Sequence, residues 1–415
     1  MSTIFIQIAS YRDPQLIHTL KSIIDNAKNP NKLRFGICRQ YHPDDKFDSL
    51  DEYKDDKRFR VVDVIYSESK GVCWARNLTQ QLYQGEDYTM QIDSHMRFAP
   101  NWDVEFIKMI KQLQKDGFEK PLLTGYVSSF NPENDPAERI QEPWRMAFDR
   151  FIPEGAVFFL PESIPNWKEL KKPIPSRFYS AHFCFTLGQF SEEVQHDPEF
   201  YFHGEEISIA VRAYTWGYDL FHPHKVLVWH EYTRKGRTKQ WDDDPDWGNK
   251  NVRSHQKNRR LFGMDNEQNE EMGNYGFGSV RSLRDYEIYA GLRFENRSVQ
   301  QYTLDKKYPP NPTVYETEEE WLASFATIFK HCIDLDYKLV PETDYDFWVV
   351  AFHNEKEETI NRQDADVNEI KRIMSDPDGY GKIWRTFQTV EKPKYWVVWP
   401  HSVSKGWCDR IMNYL

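Results

Sequence analysis

Residues 88–98, YTMQIDSHMRF, begin as an apolar strand and then set Asp93 and His95 two positions apart at its end. Alternate residues of an extended chain share a face, so a carboxylate and an imidazole at this spacing can converge on one small object. The pair suits a divalent cation, Mn²⁺ or Mg²⁺, when phosphate oxygens and water complete an octahedral shell. Taken alone, DSH is explained equally well by a turn cap and an ordinary hydrogen bond. A third ligand has to come from a distant strand end, and His230, which closes the apolar run VLVWH, has that position. His222 and His224, in LFHPHK, compete with it, but they precede the buried run whereas His230 ends it.

Other groups could act beside such a cation. In KGVCWARN, Gly71 turns the chain into a helix whose free amides and Arg76 could face a phosphate or brace the Asp93 loop. An arginine in an ordinary salt bridge is the plainer alternative. Glu205 and Glu206, in HGEE, enter a helix, where acidic residues complement the macrodipole without any further role. The preceding Phe200, Tyr201 and Phe202 favour a sugar site, because sugar C–H faces pack on rings while hydroxyls need carboxylate acceptors. Arg234, Lys235 and Arg237 could close over a diphosphate, although a basic loop is more often solvated surface.

These side chains need a scaffold that gathers strand ends. Strands over residues 3–9, in LRFGICRQ, in FRVVDVIY and up to Asp93 alternate with helical segments. Asp13 can cap the first helix, with Pro14 at its first position and Leu16, Leu20 and Ile23 on one face. This alternation predicts an α/β architecture with a mostly parallel sheet, and in such sheets ligands bind beyond the carboxyl ends of the strands, where Asp93 and His95 stand. Further strands are expected in PLLTGYVSSF, GAVFFL, FYSAHFCFTLG and HKVLVWHEY, with a helix after HGEE. Residues 233–274 read as a long polar loop, and residues 296–312, NRSVQQYTLDKKYPPNP, as a linker. The expected organisation is a domain over residues 1–298 and a smaller α+β or β-rich domain over residues 299–415. The latter holds a helix in ETEEEWLASFATIFKHC and strands in DFWVVAFH and KYWVVWPH.

Composition sets outer limits. A chain of 415 residues, 39% hydrophobic and 15% aromatic, can bury a core in each of two domains. A net charge of -11 argues against a general nucleic-acid binder, which needs a basic surface. Cys38, Cys73, Cys184, Cys332 and Cys408 are scattered without CxxC spacing, so neither a disulfide framework nor a thiolate zinc site is indicated. No apolar run is long enough to cross a bilayer, and MSTIFIQIASYRDP lacks a basic n-region, so a cytoplasmic protein without a transmembrane segment is expected.

The order IFIQIASYRDPQLIHTLKSII, KGVCWARN, QIDSH, HGEE and a late WH resembles the GT-A glycosyltransferases. With RRLFGMDNE and YGFGSVRSLRDYEIYAGLRF added, it looks like the polypeptide N-acetylglucosaminyltransferases that act on hydroxyproline of the Skp-type ubiquitin-ligase adaptor. The mucin-type polypeptide GalNAc-transferases are a more distant likeness, through D-x-H, a GGEN-like segment and the late histidine. The resemblance spans residues 3–294. It implies a nucleotide-diphospho-sugar transferase domain in which Asp93, His95 and His230 hold Mn²⁺ or Mg²⁺ on the diphosphate of a UDP-sugar. It further implies that Ser10, Tyr11, Arg12 and Asp13 line the uridine pocket. Arg76, Ser94, His182, Arg234, Lys235 and Arg237 then surround the donor, and Glu205 with Glu206 supplies the sugar- or acceptor-side carboxylates. Ala181 and His182 replace small glycines of the GalNAc-transferases, and HGEE replaces GGEN. The implied reaction is retaining transfer of N-acetylglucosamine from UDP-GlcNAc to a hydroxyl of a protein or glycan. A surface-polysaccharide transferase using another UDP-sugar is the alternative, and a non-catalytic carbohydrate or nucleotide binder is a third class, against which the complete Asp93, His95 and His230 set weighs.

Overall fold

The structure is a computed structural model that describes residues 2–266, 272–312, 315–375, 377 and 379–415. Glu267, which ends the RRLFGMDNE signature, lies outside the described residues. The chain divides into two compact units, Met1–Arg297 with Tyr302–Pro312, and Ser298–Gln301 with Thr313–Leu415.

In the first unit, strands Ile4–Tyr11, Leu33–Tyr41, Phe59–Ile65 and Tyr88–Asp93 form a parallel half of an eight-stranded sheet. Ile4, Ile6 and Ile8 pack with Leu16, Leu20 and Ile23 of the helix Leu16–Asn26 and with Phe106 of the helix Trp102–Lys115. Phe5, on the opposite face, is buried too, so the strand reads as apolar throughout rather than alternating. Past Tyr88–Asp93 the sheet continues with Phe183–Leu187, Lys120–Thr124, Tyr218–His222 and Ile174–Pro175, and Phe183–Leu187 runs antiparallel to both its neighbours.

A separate three-stranded sheet of Met96–Phe98, Val228–His230 and Ser128–Ser129 joins distant parts of the chain. Its register sets His230 opposite Met96, and the Glu231 amide donates to the His95 carbonyl at 3.1 Å. The expected single strand PLLTGYVSSF is therefore split: Lys120–Thr124 stays in the large sheet and Ser128–Ser129 joins the small one. The break falls at Gly125, whose φ of +151 comes with a Cβ position 2.5 Å from His222 Nδ1, a place no side chain can occupy.

The expected loop over residues 233–274 is largely helical, with Gln240–Asp243 and the sixteen-residue helix Trp247–Phe262. Its buried stripe, Ser254, His255, Asn258, Leu261 and Phe262, has helical spacing but is mostly polar. Hydrogen bonds replace apolar contact there: the Tyr201 amide donates to Ser254 Oγ at 2.6 Å, and Asn258 Nδ2 donates to the Gly155 carbonyl at 3.0 Å. A second correction concerns residues 302–312, which are not a free linker. Buried Arg177 donates to the carbonyls of Ala290 (2.9 Å) and Lys307 (2.5 Å) and to Asn311 Oδ1 (2.7 Å), tying that segment to the first unit.

The second unit has two sheets. Phe325–Asp336 pairs antiparallel with Tyr380–Thr389, and Tyr345–His353 pairs with Tyr395–Ser402. Ile333, Leu335, Ile383 and Phe387 from the first pair meet Trp348, Val350, Trp396 and Val398 from the second in one core. The helix expected through ETEEEWLASFATIFKHC covers only Glu318–Ala323, because the alternating FATIFKHCIDLD that follows pairs along its length with Tyr380–Thr389.

Candidate active site

Asp93 ends its strand, and the chain turns at once through Ser94 and His95 into Met96–Phe98, which pairs with the strand carrying His230. Ligand atoms of Asp93, His95 and His230 lie within 4.8 Å of one another. Asp93 Oδ2 is 3.4 Å from His230 Nε2 and 3.6 Å from His95 Nε2. His95 holds this orientation because its Nδ1 bonds Asp13 Oδ2 at 2.7 Å, a carboxylate–imidazole pair of the kind that fixes the tautomer of a metal-binding histidine. Ser94 Oγ donates to the same oxygen at 2.7 Å and Arg237 Nη1 at 3.3 Å. Two imidazoles and a carboxylate with ligand atoms this close suit a divalent cation of the manganese or magnesium class.

The electrostatics agree. Burial works against the charge of Asp93, but the hydrogen bond from His230 and the charges of Arg76 and His95 outweigh it and hold the carboxyl well below its usual range. Burial pushes His230 down to about 4, only partly offset by Asp93, and drives His182 well below its usual value. Both imidazoles are therefore neutral at physiological pH, and a neutral ring is the form that ligates.

Arg76 sits behind Asp93, donating to its Oδ1 at 3.0 Å and to Glu205 Oε1 at 2.7 Å. The other oxygen of Glu205 accepts from Cys73 Sγ at 2.7 Å. Glu205 is thus buried with both oxygens committed, a brace for Arg76. Glu206, one residue on, differs: Oε1 accepts from the Ala181 amide at 3.0 Å, and Oε2 takes no hydrogen bond among the described residues. Burial, reinforced by the Glu205 charge and offset only in part by that amide, pushes the Glu206 carboxyl up to about 8. Both glutamates line a cavity of about 540 Å³ together with Arg76, Asp93, His182 and His230. Its apolar wall includes Phe158 and Phe202.

The remaining sequence candidates divide by location. His182 stacks on His230 at a centroid distance of 4.4 Å, and its Nδ1 meets Ser180 Oγ at 3.0 Å. Arg234 lines the cavity, its guanidinium over Trp241 at 5.5 Å. Arg237 pairs with Glu231 at 2.8 Å and touches His95, whereas Lys235 lines a neighbouring groove. At the end of the first strand Ser10 is fully buried, its Oγ without a partner. Tyr11 donates to Asp243 at 2.7 Å, and Arg12, with φ of +46°, pairs with Asp45 and Asp243 at 2.8 Å each. Asp13 does not share that location. It is 2% exposed, and its Oδ2 faces His95. Three residues beside these groups were not singled out in the sequence: Tyr126 and Tyr232, which line the cavity, and Asp243, the partner of Tyr11 and Arg12. Tyr232 follows His230 by two residues, the same alternation that marks Asp93 and His95, while Asp243 in a run of three aspartates carries no signal.

The sequence matches the family described as Glycosyltransferase (GlcNAc) over residues 3–58 and 45–296. The chain belongs to that family. The matched residues lie in the first unit, which has the candidate D-x-H group at the carboxyl end of a central strand and an antiparallel strand inside its sheet. No curated protein matches the sequence. Among solved structures, GalNAc-T7 with UDP, GalNAc and Mn²⁺ is similar at a TM-score of 0.44 and 14% identity, over 69% of this chain and 54% of that one. TarS 1-349 of S. aureus in complex with UDP-GlcNAc follows at 0.37 and 11% identity, over 58% and 61%. The mannosyltransferase PcManGT from Pyrobaculum calidifontis with GDP-Man and Mn²⁺ is similar at 0.37 and 9% identity, over 57% and 58%. The match thus spans between half and two thirds of each of these chains. No helix among the described residues is long and apolar enough to cross a membrane.

Proposed function

We propose that the chain transfers N-acetylglucosamine from UDP-GlcNAc, with retention and in a divalent-cation-dependent reaction, to a hydroxyl of a protein or glycan. The observation that carries this reading is the Asp93, His95 and His230 set, oriented by Asp13 and opening on a cavity that also contains Glu206. A cation held there supplies Lewis-acid stabilisation of the charge that develops on the departing diphosphate. The rest falls to the protein.

Arg76, fixed between Glu205 and Asp93, holds the orientation of the Asp93 carboxylate that would hold the cation and places a positive charge beside it. Arg234, at the cavity wall, would offer a second positive charge to the diphosphate. In the transfer the bond from C1 to the phosphate oxygen breaks and the bond from C1 to the acceptor oxygen forms. The acceptor proton passes to the departing diphosphate, so no strong base is required. Glu206 suits that scheme, because a carboxyl raised to about 8 is largely protonated at pH 7 and donates a hydrogen bond to a sugar or acceptor oxygen. Phe158 and Phe202 offer faces for sugar or acceptor C–H groups.

The test is a panel of UDP-sugars incubated with the protein and Mn²⁺ without acceptor, followed by release of UDP. Slow hydrolysis of UDP-GlcNAc above the other sugars, stopped by chelator, is expected. No hydrolysis of any UDP-sugar, or a rate indifferent to chelator, overturns the reading.

A further inference from the structure

The second unit carries a surface that folding does not require. Along Tyr345–His353 and Tyr395–Ser402 alternate residues face opposite ways. Trp348, Val350 and Val398 enter the core, all 0% exposed, so Phe347, Trp399 and His401 point outward. The two-residue strand Gly406–Trp407 adds Trp407 in register with His401. The result is an aromatic strip: Trp399 and Trp407 lie 4.3 Å apart between centroids, and Phe347 stacks on His401 at 5.1 Å with an interplanar angle of 19°. Trp399 is 36% and Trp407 49% exposed.

The strip is not simply apolar. His401 Nδ1 bonds Asp346 Oδ1 at 2.7 Å, which leaves the other ring nitrogen and the other carboxylate oxygen at the edge of the rings. Asp346 keeps 39% of its side-chain surface. Trp399 spends its indole N–H on the Cys408 carbonyl at 3.0 Å, so the ring offers its face rather than its donor.

We propose that this strip binds a neutral oligosaccharide of flat, all-equatorial pyranose rings, the glycan chain on which the transferase acts. Such rings present axial C–H groups to an aromatic face and a rim of hydroxyls to carboxylate and imidazole edges. Asp344, Asp346 and Glu342 make the border acidic, with Lys405 already paired to Glu342 at 2.6 Å, which disfavours anionic glycans. A second protein copy is a poorer fit, because its contact would bury the Asp346 and His401 pair without new partners, whereas sugar hydroxyls replace the water on them. Only the role of the ligand as acceptor rests on the transferase reading; the binding itself does not.

Full-length protein is titrated with chitohexaose and with cellohexaose while tryptophan fluorescence is recorded, and with oligogalacturonate as the anionic comparison. A saturable change with at least one neutral hexasaccharide is expected, weakened about tenfold or more in Trp399→Ala/Trp407→Ala and also in Trp407→Ala alone, the more exposed ring. Circular dichroism confirms that the variants are folded, and acceptor-free UDP-sugar hydrolysis is measured on the same samples and is expected to be unchanged. No saturable change with either neutral sugar, undiminished binding in both variants, or equal binding of oligogalacturonate overturns the proposal. So does a concentration-dependent oligomer that these substitutions abolish while sugar has no effect. A protein that binds the hexasaccharide yet hydrolyses no UDP-sugar overturns the transferase reading and leaves this site standing.

Discussion

Asp13→Asn separates two accounts of the residue that ends SYRD. The Asp13 side chain has two loads: Oδ1 accepts from the Gln15 amide at 2.8 Å at the head of the first helix, and Oδ2 gathers His95 Nδ1, Ser94 Oγ and Arg237 Nη1. Asparagine is as good an acceptor at a helix start, so the first load survives. The negative charge on the second is lost. His95 then has a weaker anchor for its tautomer, and Arg237 retains Glu231 at 2.8 Å as its remaining ion pair. Removing such an outer partner of a metal-binding histidine costs about 10–100-fold in metal affinity, which is about 1.4–2.7 kcal/mol. The assay is electron paramagnetic resonance of free Mn²⁺ during titration, with UDP affinity measured separately at saturating Mn²⁺. Mn²⁺ affinity should fall within that range while UDP affinity at saturation stays near wild type. Unchanged Mn²⁺ affinity with a tenfold or greater loss of UDP affinity refutes the reasoning and returns Asp13 to the uridine pocket.

Asp93→Asn and His230→Ala should each abolish transfer and Mn²⁺-dependent UDP binding together; calorimetry that finds UDP bound as tightly in either variant as in wild type removes them from the metal site. Glu206, raised to about 8 and acting as a donor, makes kcat/KM fall as pH rises through about 8. Glu206→Gln, which keeps a donor, should remain active below that pH with a flat profile, while Glu206→Ala loses about 10²-fold. A rate that instead rises through pH 8 identifies Glu206 as a base and favours inversion. Glu205→Gln should cost mainly stability, about 2–3 kcal/mol in urea unfolding, since Arg76 loses one of two charged partners but keeps Asp93; undiminished stability with lost turnover would show it contacting substrate. A chain ending at Pro312 should fold and hydrolyse UDP-sugar, whereas one ending at Gln300 strips buried Arg177 of Lys307 and Asn311 and should be insoluble; equal solubility of the two would refute the structural role of residues 302–312.

The sequence made the Asp93, His95 and His230 cluster legible because its signals were local. A buried apolar run forces a strand, and the first polar residues after it must sit at the strand end, which is how Asp93, His95 and His230 could be found without knowing which sheet held them. The small sheet that joins them was not legible, since it depends on the backbone break at Gly125 and on pairing between residues more than a hundred positions apart. The helix Trp247–Phe262 escaped for a related reason: apolar periodicity detects helices that bury oil, and this one buries Ser254 and Asn258, whose partners are distant backbone groups.

The two glutamates of HGEE mark the limit more sharply. Adjacent, identical and at the same helix start, they are indistinguishable as sequence, and any role assigned to one fits the other. A helix turns about 100° per residue, so the two side chains diverge: Glu205 falls on the side where Cys73 and Arg76 wait, and Glu206 on the side of Ala181 and the open cavity. The partners then fix the chemistry. The Glu205 carboxylate has both oxygens committed to Cys73 and Arg76, while Glu206, with only an amide for a partner, is pushed by desolvation and by its neighbour's charge toward the neutral acid. Exchanging the places of the two side chains would require the helix to rotate by a residue.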